Sequence, residues 1–286
     1  MGTSTSSFGP KSGVSFDPPW LDQLAEAQPS ADAPPDDVAD GEPAGKDIQE
    51  NQQSMPNESS GLAPARRFAS ARRELGKFAR TGNRDNFRKA VGHYSQTGMG
   101  GAKNVAKRMR VSTKNAAGLV SFLQATRNGT DPQINQWVSN LSARNPTAQD
   151  VIDDIIQQVT SSGGSLDEES CRDSMDQAMS ELMVIQPDID LLKMNDADIW
   201  TVVELFLGNE AYNRLHQDIG QLFESAKLSP RDAVRHLNEM REYLKSEVSA
   251  QVKALRAENS NPNSGQIESV LQDALQNTFF VYEGSL

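Results

Sequence analysis

The sequence predicts an all-α protein, with an irregular multi-helix body preceded by a long disordered acidic N-terminal tail. From about residue 64 onward, apolar residues recur at spacings of three and four, which is typical of amphipathic helices. Before that point the chain is rich in proline and acidic residues. Ala25–Ser60 has almost no large apolar side chains, so it cannot bury enough surface to offset the entropy of ordering. We therefore expect an N-terminal recognition or modification peptide at 1–24, a disordered acidic linker at 25–63 and a helical domain at 64–286.

Charge is distributed in blocks along the chain. Residues 1–60 carry 2 basic and 11 acidic side chains, whereas residues 61–110 carry 13 basic and 2 acidic ones. The formal net charge of −11 therefore conceals a strongly basic N-terminal part of the helical domain, at residues 64–110.

The first predicted helix spans Arg66–Arg80 and ends before Gly82, and a second carries Phe87 and Tyr94 on one face. A glycine-rich turn at Gly98–Gly101 precedes a third basic helix. Later helices begin at residues whose side chains accept hydrogen bonds from the first backbone amides of a helix, namely Asp131 before Pro132, Thr147, Ser165 and Ser229. One stretch, Thr278–Tyr282, indicates a short strand because it is β-branched and aromatic.

Residues with catalytic chemistry are sparse. The chain has three histidines and one cysteine, and none of them has the spacing of a zinc site or a catalytic pair. We predict that the histidines lie at the polar edges of packed helices and that Cys171 is a buried, inert thiol. The sequence thus predicts no catalytic residue, no metal and no cofactor, and a protein that is not an enzyme. An enzyme whose site assembles from scattered helices stays open as an alternative.

The basic part of the domain is a candidate surface for an anionic partner. A nucleic acid is one candidate, and an acidic segment of this chain or of another subunit is the other. The cations that we expect to make such contacts are Arg66, Arg67, Arg73, Lys77, Arg80, Arg84, Arg88, Lys103, Lys107 and Arg108.

The first residues carry a more specific pattern. Removal of Met1 would expose the unhindered amine of Gly2, whose reference pKa of about 7.7–8.0 leaves part of it neutral and nucleophilic. Further on, the run Pro18–Leu21 combines a pre-extended backbone with a tryptophan and a leucine, which is typical of a docking motif.

The N-terminus has no signal-peptide pattern, and no apolar run has the length of a membrane helix. We therefore expect a cytoplasmic protein with no membrane partner.

Several motifs resemble the QatB proteins of the bacterial Qat anti-phage defence systems. They occur in order along the chain: Met1-Gly2-Thr3-Ser4, Gly9-Pro10, Pro18-Pro19-Trp20, Gly92-His93-Tyr94, Gly98-Met99-Gly100-Gly101-Ala102 and Gly164-Ser165-Leu166-Asp167-Glu168-Glu169.

The resemblance implies a non-enzymatic component of an anti-phage complex. Its implied partners are an ATPase subunit, a TatD-like nuclease and a 7-cyano-7-deazaguanine synthase-like enzyme. That enzyme would conjugate a 7-deazaguanine base through an amide to Gly2 of this chain. Partner recognition would use the remaining residues of the N-terminal peptide, Thr3, Ser4, Pro18, Pro19, Trp20 and Leu21.

Overall fold

The computed structural model of the protein describes residues 66–160, 163–225, 228–258 and 264–286. The chain divides into two units, Met1–Ser59 and Ser60–Leu286, and the described residues all belong to the second. The predicted tail, with its peptide at 1–24 and its linker at 25–63, lies outside the described residues.

The all-α prediction is confirmed for the described residues, whose regular elements are helices without any strand. The helices are α1 (Ala69–Thr81), α2 (Arg84–His93), a π-helical turn (Tyr94–Gly98), α3 (Ala102–Arg108), α4 (Arg110–Asn128), α5 (Pro132–Ser142), α6 (Ala148–Val159), α7 (Leu166–Ile185), α8 (Asp196–Ile219), α9 (Leu222–Ser225), α10 (Pro230–Glu258) and α11 (Ser264–Glu283).

Local hydrogen bonds explain why several helices begin where they do. Thr147 and Ser165 form reciprocal capping boxes with Asp150 and Glu168, as the sequence predicts. The Asp131 carboxylate caps α5, in which Pro132 occupies the first turn. Each of these contacts satisfies backbone amides that have no partner within their own helix.

The strand predicted at Thr278–Tyr282 is wrong, because these residues lie inside α11. Thr278, Phe279 and Tyr282 are buried, whereas Phe280 is 67% exposed, which is the pattern of a helix face rather than of a strand. Thr278 also donates its hydroxyl to the Ala274 carbonyl at 2.8 Å, a contact one turn back along the helix. Burial against the other helices therefore outweighs the local β propensity of this run.

One hydrophobic core runs through the described helices, and α8 lies at its centre. This helix contacts α4, α7 and α10, and residues on every side of it are buried. The basic helices α1 and α2 belong to the same core, because Phe78 and Phe87 are fully buried with ring centroids 5.3 Å apart. Within the described ranges, no helix combines the length and the apolar character needed to cross a lipid bilayer.

Candidate functional site

Some of the cations that were predicted to contact an anionic partner form ion pairs with carboxylates of the domain itself. The Arg108 guanidinium donates to both carboxylate oxygens of Asp218, at 2.7 and 3.3 Å, and the Tyr94 hydroxyl donates to the same carboxylate at 2.9 Å. Arg72 donates to the backbone carbonyl of Asp218 at 2.9 Å. We call these four residues the Asp218 cluster. It ties the basic segment to the C-terminal end of α8, and burial beside this carboxylate raises the pKa of Tyr94.

A second set of cations is held by local contacts. The buried carboxylate of Glu74 lies 2.8 Å from Lys77 Nζ and 3.3 Å from Arg73 Nε. The hydrogen bond from Lys77 lowers the pKa of Glu74, and Arg73 adds to the effect.

Three further arginines contact rings or a hydroxyl. Arg67 lies over the Phe68 ring and Arg84 over the Tyr243 ring, with guanidinium carbons 4.5 and 4.7 Å from the ring centroids. The Nε atom of Arg88 donates to the Ser285 hydroxyl at 3.0 Å. None of these three contacts pairs a guanidinium with a carboxylate, but each restricts the position of its arginine side chain.

The remaining candidates are exposed and form no ion pair with another described residue: Arg66, Arg80, Lys103 and Lys107.

Lys103 and Lys107 line a cleft of about 650 Å³. One wall of this cleft is α3 with the start of α4, and the other is the facing side of α11. Arg110 completes the cationic wall. The α11 wall carries Glu268, Ser269, Gln272, Asp273 and Gln276. We call this cleft the α3/α11 groove; its lining includes three cations and two carboxylates.

A second cleft, of about 570 Å³, lies between α6 and α7. Asp153 and Asp176 line it, and Gln149 donates to both carboxylates, at 2.9 and 2.8 Å. Among the described residues, no group of three or more His, Cys, Asp or Glu side chains is arranged to hold a metal ion.

The three histidines lie in different places. His236 is buried against Phe78, with Nδ1 2.8 Å from the Ala79 carbonyl, and His216 stacks on Tyr212 with ring centroids 5.6 Å apart. His93 is half-buried at the end of α2. The structure therefore does not bring the histidines together into one constellation.

Sequence reasoning missed a buried polar network between α7 and α8. The Glu210 carboxylate is fully buried and accepts hydrogen bonds from Ser170, Ser174 and Arg214 at 3.0, 2.9 and 2.8 Å. Arg214 also pairs with Asp167. We call these five residues the Glu210 network. The i, i+4 spacing of Glu210 and Arg214 was the only signal, and surface pairs share it.

Cys171 is buried beside this network, as predicted, with Sγ 3.5 Å from the Ser112 hydroxyl. Burial, reinforced by the charge of Glu210, raises the pKa of its thiol to about 11. A thiol in this position is protonated at neutral pH and is a poor nucleophile.

The N-terminal candidates lie outside the described residues: Gly2, Thr3, Ser4, Pro18, Pro19, Trp20 and Leu21. The structure therefore describes the basic surface of the domain, but not the predicted modification site or the docking peptide.

Comparison with known proteins identifies one family. No curated protein and no solved structure matches the chain. Residues 100–282 match the family described as Qat anti-phage system associated protein QatB. The match begins just before α3 and ends within α11, so it contains both walls of the α3/α11 groove and leaves out α1 and α2. Because the match covers more than half of the chain, the protein belongs to the QatB family and has a role in an anti-phage system.

Proposed function

We propose that the chain is a non-enzymatic component of a Qat anti-phage complex and that its N-terminal glycine is a conjugation site. After removal of Met1, the Gly2 amine would accept a 7-deazaguanine base from a 7-cyano-7-deazaguanine synthase-like partner. The observation that carries this proposal is the sequence of the N-terminus, in which an unhindered glycine is followed by small polar residues. Membership of the QatB family supplies the anti-phage context.

The chemistry of the conjugation balances with ATP as the activating co-reactant. The carboxylate of the deazaguanine acid displaces pyrophosphate from ATP and becomes an acyl adenylate. The neutral Gly2 amine attacks the acyl carbon, the new C–N bond forms, AMP leaves and the amine loses a proton to solvent. Glycine suits this step because its amine carries no neighbouring side chain and is partly neutral near pH 7.7–8.0, its reference pKa range.

The other parts of the chain would then act as docking and assembly elements. Thr3 and Ser4 would enter the partner's site as a thin peptide, and Pro18, Pro19, Trp20 and Leu21 would dock outside it. Residues 25–63 would tether this peptide to the helical body. The body would bind the ATPase subunit, and the TatD-like nuclease is a further proposed partner.

Intact mass spectrometry of the chain purified from cells that also express the synthase-like enzyme tests the conjugation. We expect a mass increase of one amide-linked deazaguanine group. Gly2→Pro replaces the primary amine by a hindered secondary one and should abolish the increase, whereas Ser7→Ala should leave it intact. An unmodified chain beside an active partner enzyme would contradict the proposal.

A second candidate function is nucleic-acid binding by residues 66–110. Four exposed cations without ion-pair partners among the described residues favour it, namely Arg66, Arg80, Lys103 and Lys107. Fluorescence anisotropy with a labelled duplex should then show binding that weakens steeply with salt. Arg80→Glu should weaken this binding by roughly tenfold, whereas Lys193→Glu, an exposed lysine outside the segment, should not. Equal losses from both changes would contradict a specific basic surface.

A further inference from the structure

The side of α7 that points away from the core carries carboxylates. Cys171 and Met175 of this helix are fully buried in the core. On the opposite side of the helix, Glu169 and Asp173 are exposed and Asp176 is half-buried. These three carboxylates follow one another at spacings of four and three, so they form one line along the helix, which we call the α7 stripe.

The cleft between α6 and α7 adds to the charge of this stripe. Asp153 of α6 lines it together with Asp173 and Asp176, and these three carboxylates form no ion pair with another described residue. Arg172 lines the same cleft, but its guanidinium pairs with Glu169 at 3.0 Å. This side of the domain therefore presents three negative charges that no described cation pairs with.

A stripe of cations with the same spacing lies on α1. Arg73, Lys77 and Arg80 are exposed and follow one another at spacings of four and three, on the side of the helix opposite to the buried Leu75. Arg73 and Lys77 share the single carboxylate of Glu74, and Arg80 forms no ion pair with another described residue. Three cations against one carboxylate leave a surplus of two positive charges on this α1 stripe.

The two stripes are complementary in both charge and length. Each spans seven residue steps of helix, which correspond to about 10 Å. When an α1 helix lies alongside an α7 helix, each cation of the α1 stripe can therefore face one carboxylate of the α7 stripe. Asp153 supplies a further carboxylate at the neighbouring wall of the cleft.

The two stripes of one chain cannot meet each other. Helix α1 packs against α2, α8, α9 and α10, and α7 packs against α4, α6 and α8, so both helices are fixed in the same core. Each stripe lies on the side of its helix that faces away from that core. A contact between the two kinds of stripe therefore requires a second copy of the chain.

From these observations we propose that the α1 stripe of one copy docks on the α7 stripe and the α6/α7 cleft of a second copy. The contact is heterologous, because the two surfaces differ, and each copy keeps one free stripe with which association can continue head to tail. The proposal does not depend on conjugation at Gly2.

Sedimentation velocity of the full-length chain, freed of nucleic acid, tests this association. We expect a sedimentation coefficient that rises with protein concentration and falls back as salt is added, because salt screens exposed charges. The formal net charge of −11 makes two copies repel overall, so association without the stripes would instead strengthen with salt. A monomer at all concentrations up to about 1 mM, or association that strengthens with salt, would overturn the proposal.

Two double variants identify the surfaces that make the contact. Asp173→Asn with Asp176→Asn weakens the α7 stripe, and Arg73→Gln with Arg80→Gln weakens the α1 stripe while leaving Lys77 to pair with Glu74. Each should raise the Kd of self-association at least about fivefold, because two ion pairs are lost. Mixed in equal amounts, the two variants should form a dimer and nothing larger, since each supplies the stripe that the other lacks.

Two single variants serve as controls. Lys89→Gln and Asp188→Asn change exposed residues outside both stripes and should associate like the unaltered chain. Equal weakening by the controls would show that overall charge, and not the stripes, governs association. Loss of association in the α1 variant alone would identify a different occupant of that stripe, and a mixture that stays monomeric would exclude a head-to-tail contact; either result would overturn the proposal.

Discussion

Asp218 holds three distant parts of the basic segment in place, although it lies outside that segment. Its carboxylate accepts from Arg108 and Tyr94, which are 110 and 124 positions away in the sequence, and its carbonyl accepts from Arg72. The side chains of Asp218 and Arg108 are only 14% and 33% exposed, so water replaces these contacts poorly. Asp218 thereby engages two arginines of the basic segment, Arg72 and Arg108.

Replacing this carboxylate should be costly. We predict that Asp218→Asn lowers the free energy of unfolding by about 1–3 kcal/mol, because Arg108 loses its ionic acceptor. Urea unfolding followed by circular dichroism measures the change. The exposed Asp188→Asn is the matched control and should have little effect. Equal stabilities of the two variants would contradict the role given to Asp218.

Cys171 should react only when the protein opens. Its side chain is fully buried, and burial raises the pKa of the thiol to about 11. We predict that an aromatic disulfide reagent at pH 8 labels the native chain at least about 100-fold more slowly than the chain in concentrated urea. Labelling of the native protein at the rate of a free thiol would show that this part of the core is accessible.

At the scale of elements, α7 and α8 are joined by charge as well as by apolar packing. The Glu210 network places a carboxylate and a guanidinium inside the core, where each depends on the other. Serine hydroxyls from α7 satisfy the carboxylate oxygen that Arg214 does not reach. These contacts therefore fix the position of α7 along α8.

Breaking this pair from one side should be more harmful than neutralising both. We predict that Arg214→Met lowers the free energy of unfolding by about 3–5 kcal/mol, since it leaves a buried anion without its cation. Adding Glu210→Gln to that variant should recover part of the loss. Chemical denaturation of the single and double variants measures both effects. A loss below about 1 kcal/mol for Arg214→Met would contradict a network that holds the two helices together.

The π-helical turn depends on a close approach at Gly98. An added Cβ would lie 2.4 Å from Cδ1 of Phe68, so a side chain there must displace the ring from its stack on Tyr94. We predict that Gly98→Ala costs about 1–3 kcal/mol of stability and that the cost shrinks when Phe68 is already alanine. Gly164→Ala is the control, because a Cβ there meets no atom within 4 Å. Additive effects of the changes at 68 and 98 would contradict the direct contact.

At the scale of the whole molecule, local signals predicted the elements, but they could not predict the contacts between them. The caps at Thr147 and Ser165 were predictable because each depends on residues three positions apart. The helical state of Thr278–Tyr282 was not, because it follows from burial against other helices. The ion pair between Arg108 and Asp218 could not be predicted either, because 110 positions separate the two residues in the sequence.

The family match covers only part of the helical domain. Residues 100–282 match the QatB family. The basic helices α1 and α2 precede the matched residues in the sequence, but they pack into the same core. In the sequence, Gly2 is separated from this body by residues 3–65, which are rich in acidic side chains. The proposed division of labour is therefore a helical body for assembly and an N-terminal peptide for chemistry.

Peptide mapping of the N-terminus tests the central proposal most directly. Tryptic digestion of the chain co-expressed with the synthase-like enzyme should release residues 2–11, because Lys11 is the first cleavage site. We predict that fragmentation places the deazaguanine adduct on the Gly2 amine and that the adduct disappears when the enzyme is inactivated. An unmodified peptide, or an adduct on the Lys11 side chain, would contradict the proposal that the N-terminal glycine is the acceptor.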